Sequence, residues 1–120
     1  MINRNITHIE IPAASRPALA KFYSETFGWK TEPMDSRGEP YTIWQSGNIR
    51  GGFPELGAAS GPGEIILYID SEDIDADLKR IVANGGKTLV GKTEIPGVGW
   101  YAQFSDPSGN KMALFRVKKG

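Results

Sequence analysis

The chain has 120 residues, no cysteine, and fourteen basic residues balanced by fourteen acidic ones. Disulfides, thiolate metal sites and a cysteine nucleophile are therefore excluded, and no net field exists to draw in nucleic acid or an anionic membrane. The longest apolar runs, such as residues 65–69, fall far short of a membrane span, and the start Met1-Ile2-Asn3-Arg4 lacks the apolar core of a signal peptide, so a cytoplasmic protein is expected. The length is that of one domain, able to bury roughly two-thirds of its unfolded surface.

In chain order, Ile6-Thr7-His8-Ile9-Glu10-Ile11 largely alternates polar and apolar residues, the period of a half-buried strand. Ile9 and Ile11 are expected to face a core, with His8 and Glu10 on the opposite side. Ser15 is placed to cap a helix, and Pro17 fits its first turn, where a missing N–H costs nothing. Leu19, Phe22, Tyr23 and Phe27 form an apolar stripe at helical spacing, and Gly28 stops the helix by accepting a left-handed conformation. Residues 29–34 and 41–45 read as strands around a polar turn at 35–39, and 49–53 as a short strand weakened by Gly51 and Gly52. The Gly-, Ala-, Ser- and Pro-rich stretch at 54–63 is the natural linker.

The pattern then restarts. Residues 64–69 read as a strand, and Asp70 or Ser71 is expected to cap a helix with Ile74, Leu78, Ile81 and Val82 on one face. Gly85-Gly86 ends that helix, and residues 87–93 and 99–104 follow as strands. In Asp106-Pro107-Ser108-Gly109-Asn110, Pro presets one turn angle and Gly supplies a positive φ; residues 111–117 form the last strand. Gly28-Trp29-Lys30-Thr31 lines up with Gly85-Gly86-Lys87-Thr88, roughly 57 residues later, as a duplicated unit would. Module 1 is placed at about 1–54, a linker at about 55–63 and module 2 at about 64–120, within one domain spanning 1–120. The expected fold is α+β: two βαβββ modules forming a curved mixed sheet with a shared cleft, and one helix on the outer face of each.

Three stretches carry a family resemblance: His8-Ile9-Glu10-Ile11-Pro12 with Lys21-Phe22-Tyr23 and Phe27-Gly28-Trp29; Ile69-Asp70-Ser71-Glu72-Asp73-Ile74-Asp75 with Asn84-Gly85-Gly86; and Phe104-Ser105-Asp106-Pro107-Ser108-Gly109-Asn110. Together they span nearly the whole chain, and it resembles the glyoxalase/bleomycin resistance protein/dioxygenase (vicinal oxygen chelate) superfamily. Gly97-Val98-Gly99-Trp100-Tyr101 is similar to a bacterial glyoxalase-like subgroup whose members mostly lack an assigned substrate. The resemblance implies a small-molecule ligand in the inter-module cleft and a homodimer. In metal-dependent relatives four strand positions hold a divalent metal. Here His8 and Glu64 occupy two of them, residues 45–53 contain no Asp, Glu or His, and Ala113 stands where those relatives have Glu. A glyoxalase I reaction is accordingly not expected.

Several functions remain open. One is a divalent-metal lyase, isomerase or dioxygenase using His8 and Glu64, with Glu10 as third donor by parity; such a site needs about three protein ligands. Another is metal-free proton transfer by His8, the only histidine, with Glu10 or Glu64 orienting it. A third is sequestration of a drug-like molecule by aromatic side chains, and a fourth an interaction protein. Tyr68, Tyr101 and Gln103 are expected to line the cleft, with Trp44 beside them and Arg50 placed to meet an anion. No serine pairs with a histidine as a nucleophile would. Gly51-Gly52 and residues 57–63 lack a phosphate-loop pattern and read as flexible rim or linker. The acidic run 70–77 suits a helix N-terminus rather than a calcium loop.

Overall fold

The computed structural model describes residues 3–36, 39–56 and 61–118. It divides into two compact units: His8–Ile65, and the chain from Ile66 onward together with the N-terminal residues up to Thr7.

In the first unit, β1 (Ile6–Glu10) runs parallel to β4 (Ile49–Gly52), β4 antiparallel to β3 (Glu39–Ser46), and β3 antiparallel to β2 (Lys30–Ser36). The register is Ile9↔Gly51 and Glu10↔Gly52 on one side of β4, and Trp44↔Gly51 and Ile43↔Gly52 on the other. Helix α1 (Arg16–Phe27) begins where the sequence marks it. Ser15 has extended backbone angles and its hydroxyl accepts from the Ala18 N–H at 3.3 Å. The helix ends at Gly28, whose φ of 74° lets its N–H return to the Ser24 carbonyl.

The core under α1 is aromatic. Ala13, Trp44 and Phe53 are buried, with Ile9, Ile11, Leu19, Tyr23 and Trp29 packed against them. Tyr23 stacks on Trp29 at 4.5 Å between ring centroids, and Trp29 on Trp44 at 4.6 Å. Ile9 and Ile11 thus face the core, as strand alternation requires. The expected helix stripe is narrower than its spacing implied: Phe22 and Phe27 are 53% and 63% exposed. Leu19 and Tyr23, with Ala20, turn toward the sheet, and Phe22 instead lies edge-on against Tyr23 and Phe27.

The second unit repeats the order. β5 (Ile66–Asp70) pairs parallel with β8 (Lys111–Val117), β8 antiparallel with β7 (Gly99–Ser105), and β7 antiparallel with β6 (Lys87–Ile95), which is bulged between Thr88 and Thr93. Helix α2 (Ile74–Ala83) covers one face, over Ile74, Leu78, Ala102, Phe104 and Leu114. Its cap is Asp73, which accepts from the Ala76 N–H at 3.1 Å, rather than Asp70 or Ser71. Ser71 is occupied elsewhere: its buried hydroxyl donates to Asp77 at 2.6 Å. The closing turn forms as its residues dictate, with Asp106 accepting from the Ser108 and Asn110 N–H groups and Gly109 at φ 90°.

The N-terminal residues join this unit through Asn5, whose carbonyl accepts from the Asp70 N–H at 2.9 Å, and Arg4, which pairs with Asp77 at 2.8 Å. The strand expected from Glu64 begins at Ile66. Gly51 and Gly52, expected as flexible rim, are buried inside β4. Of the linker glycines and their neighbours, residues 57–60 lie outside the described residues. Two α+β modules of strand, helix and three strands are therefore present.

Candidate functional site

Alternation along β1 turns His8 and Glu10 away from the aromatic core, and the same rule on β3 turns Tyr41 the same way while Trp44 points to the helix. Glu10, Gly52 and Ile43 lie abreast across three strands. Tyr41 is two residues before Ile43, so its ring reaches diagonally back over position 52. A side chain there would collide with the phenol oxygen and ring carbons, and glycine removes the collision. Gly51 does the same on the other face, beneath the Trp44 indole and the Ile9 carbonyl.

The phenol then arrives between the two β1 side chains. Tyr41 donates to Glu10 Oε2 at 3.1 Å, and its oxygen lies 3.2 Å from His8 Nε2. His8 Nε2 and Glu10 Oε2 are 3.8 Å apart. Both side chains are partly exposed, so the group can be reached from solvent. Burial raises the pKa of Tyr41 strongly; the charge of Glu10 and its hydrogen bond add to the effect, and Arg16 opposes it. Tyr41 is a neutral donor at any physiological pH. Arg16 itself is held by the Phe53 carbonyl at 2.9 Å and Glu55 at 3.2 Å.

Arg50 shares the Gly52 face of β4 by alternation and is exposed. Trp44 does not line an open face. It is 3% exposed, sandwiched between Trp29 and Phe53, and its indole N–H donates to the Gly52 carbonyl at 3.3 Å. A shallow hollow of about 270 Å³ at the end of α1, walled by Phe27, Trp29, Lys30 and Gln45, contains none of the expected site residues.

The second unit carries a separate group. Tyr68 on β5 stands opposite Ala113 on β8, and Ala113 opposite Gln103 on β7. With Ile66, Tyr101 and Phe115, they form the sheet face turned away from α2. Tyr68 and Gln103 are each 8% exposed.

The described residues do not assemble a ligand set for a divalent metal. Among the described residues no group of three or more His, Asp or Glu is placed to hold one. Between His8 and Glu10 stands a neutral phenol. Glu64 sits ahead of β5, its carboxylate accepting from the Gly61 N–H at 2.7 Å. Ala113 is fully buried and offers no donor. No helix among the described residues is long and apolar enough to cross a membrane.

Tyr41 is the residue that sequence reasoning passed over. It falls there only within the strand expected at residues 41–45. Its signal was the Gly51-Gly52 pair in a neighbouring strand, since strand glycines often mark a close approach.

Comparison with known proteins agrees with the fold. A family model, the Glyoxalase/Bleomycin resistance protein/Dioxygenase superfamily, matches residues 5–114. A glyoxylase-like domain-containing protein of Didymella fabae is 34% identical over 121 residues, covering 95% of this chain and 94% of that protein. CFP32 of Mycobacterium bovis is 32% identical over 107 residues, but the chain spans only 40% of its length. Among solved structures, hypothetical protein BH1468 from Bacillus halodurans superposes with a TM-score of 0.74 at 15% identity, over 97% of this chain and 96% of that one. Methylmalonyl-CoA epimerase in complex with methylmalonyl-CoA superposes at 0.66 and 19% identity, over 93% of each chain. With the duplicated strand–helix–strands order, the closing Asp-Pro-Ser-Gly-Asn turn and a family match over nearly the whole length, the chain belongs to the glyoxalase/bleomycin resistance protein/dioxygenase superfamily.

Proposed function

We propose that this protein binds a small organic molecule without a resident metal, and that His8, Glu10 and Tyr41 supply the polar contacts. The observation that carries the reading is the Tyr41 phenol held between His8 Nε2 at 3.2 Å and Glu10 Oε2 at 3.1 Å. One exchangeable imidazole, one carboxylate and one neutral donor form a group that can orient a ligand and move a proton. Arg50, exposed on the same strand face, is the cation for an anionic ligand group. The setting proposed is cytoplasmic, in keeping with the absence of cysteine, and the homodimer proposed follows from the family resemblance.

A second reading, sequestration of an aromatic, drug-like molecule without chemistry, is favoured by one observation. Gln103 is buried beside Tyr68 and Tyr101 on one face of the sheet. Two tyrosines offer flat apolar area, and the amide offers a donor and an acceptor to a planar ligand.

Ligand-induced thermal stabilisation tests both readings. A ligand at one hundred times its Kd raises stability by about 2.7 kcal/mol. The first reading expects the shift to vanish in His8→Ala, and the second expects it to vanish in Gln103→Ala with His8→Ala unaffected. A broad panel of carbonyl and aromatic compounds that leaves the melting temperature unmoved refutes both. Addition of Zn, Ni, Mn or Fe salts to untagged, chelator-free protein is expected to give no stabilisation.

A further inference from the structure

We propose that Tyr41 is the positioning residue of the His8 group, directing the hydrogen-bond chain so that neutral His8 carries its proton on Nε2. The inference rests on reading His8, Tyr41 and Glu10 as a site, but its geometry stands without any ligand. A phenol has one proton to give. An ionised carboxylate only accepts, so at neutral pH the Tyr41 proton points to Glu10 Oε2 at 3.1 Å. The phenol oxygen then presents only lone pairs to His8 Nε2 at 3.2 Å. That contact is attractive only when Nε2 bears hydrogen. The resulting chain runs from His8 Nε2–H to Tyr41 O–H to Glu10.

Three features hold the direction. Glu10 and His8 are fixed on one face of β1 by strand alternation. The ring is aimed by the bare backbone of Gly52, where any Cβ would meet the phenol. The phenol also stays protonated, because burial and the neighbouring carboxylate both disfavour phenolate. The second hydrogen-bonding partner of a histidine commonly sets its tautomer in this way.

The chain has a single histidine, so ring nitrogen-15 NMR of the full, untagged protein reads this position alone. At about pH 8.5, where an imidazole is ordinarily neutral, the wild type is expected to show the Nε2–H form locked well above its share in free imidazole. Glu10→Ala releases the phenol proton to turn toward Nε2. The ratio of Nε2–H to Nδ1–H should then fall by about ten-fold, as one net hydrogen bond of ordinary strength sets it. Tyr41→Phe keeps the ring, removes the lock, and should lower the ratio from its wild-type value. A purely structural role for Tyr41 would leave these ratios alone. A wild type dominated by Nδ1–H, or showing the free-imidazole ratio, overturns the proposal, and so does a Glu10→Ala ratio equal to wild type. The wild-type spectrum decides even if a variant fails to fold. A failed ligand screen leaves this result standing, whereas a wrong tautomer removes the Tyr41 assignment alone.

Discussion

Alanine at position 52 isolates the packing that builds the site. Gly52 does not have a positive φ, so the backbone accepts alanine and only the side-chain collision matters. The new Cβ would overlap the Tyr41 phenol oxygen and two ring carbons, and no small shift of the ring clears all three. Overpacking of this kind costs about 1–3 kcal/mol. Lifting the ring also gives up its bonds to Glu10 and His8, and a hydrogen bond to a charged group contributes about 1.5–3 kcal/mol. Because the two are partly exposed and regain water, a total of about 2–4 kcal/mol is expected, a large share of an ordinary stability of about 5–15 kcal/mol. Urea denaturation of wild type, Gly52→Ala, Tyr41→Ala and the double variant measures it. With the ring absent there is nothing to strike, so the cost of Gly52→Ala should fall below about 0.5 kcal/mol in the Tyr41→Ala background. An equal cost in both backgrounds would refute the claim that Gly52 exists to seat Tyr41.

Three further outcomes follow from the charged and phenolic groups. Asp77 is 4% exposed and holds Ser71 at 2.6 Å, Arg4 at 2.8 Å and Arg80 at 3.3 Å. Asp77→Ala leaves the Ser71 hydroxyl buried without its partner, so a loss of about 2–4 kcal/mol is expected in denaturant melts, with Asp77→Asn intermediate; a loss under about 1 kcal/mol would contradict it. Burial acts to raise the Asp77 pKa, but the Ser71 and Arg4 hydrogen bonds and the two arginine charges lower it overall. Its stabilisation is therefore present above the ordinary carboxylate range and fades as pH falls through the depressed value, and Asp77→Asn should flatten that acid limb. Tyr41 behaves oppositely: its raised pKa means that the unfolded chain loses the phenol proton first. Stability should decline as pH climbs past about 10, and less steeply in Tyr41→Phe. Parallel alkaline limbs for the two proteins would show that the phenol is not held as described.

Local signals were legible and distant ones were not. Ser15 and Gly28 bound α1 because capping and left-handed turns depend on one or two residues. The His8/Ile9 alternation fixed which β1 side chains leave the core, and parity on β7 put Tyr101 and Gln103 on one face, opposite Phe104. The sequence pointed to Asp70 or Ser71 instead of Asp73 because several capping residues stand in a row, and the tertiary demand of Asp77 on Ser71 is not visible in that row. Trp44 read as a site residue because alternation gives faces without saying which face the helix covers. Phe22 and Phe27 read as core because helical spacing does not give the width of the covered stripe. Tyr41 and Glu10 are 31 residues apart. Their meeting depends on the register of β1, β4 and β3, which no local pattern encodes.

The division of β1 has a consequence for how the chain comes to be folded. Residues from His8 onward can complete their own ladder and aromatic core once Ile65 has been made, because all those partners lie within His8–Ile65. Arg4 and Asn5 emerge earlier but must wait: the Arg4 partner is 73 residues away, and the Asn5 carbonyl meets the Asp70 N–H. During synthesis Arg4 and Asn5 are thus among the last of the residues joined to either unit to find their places. Contacts of such long sequence separation slow folding. Arg4→Ala would therefore delay the second unit while sparing the first.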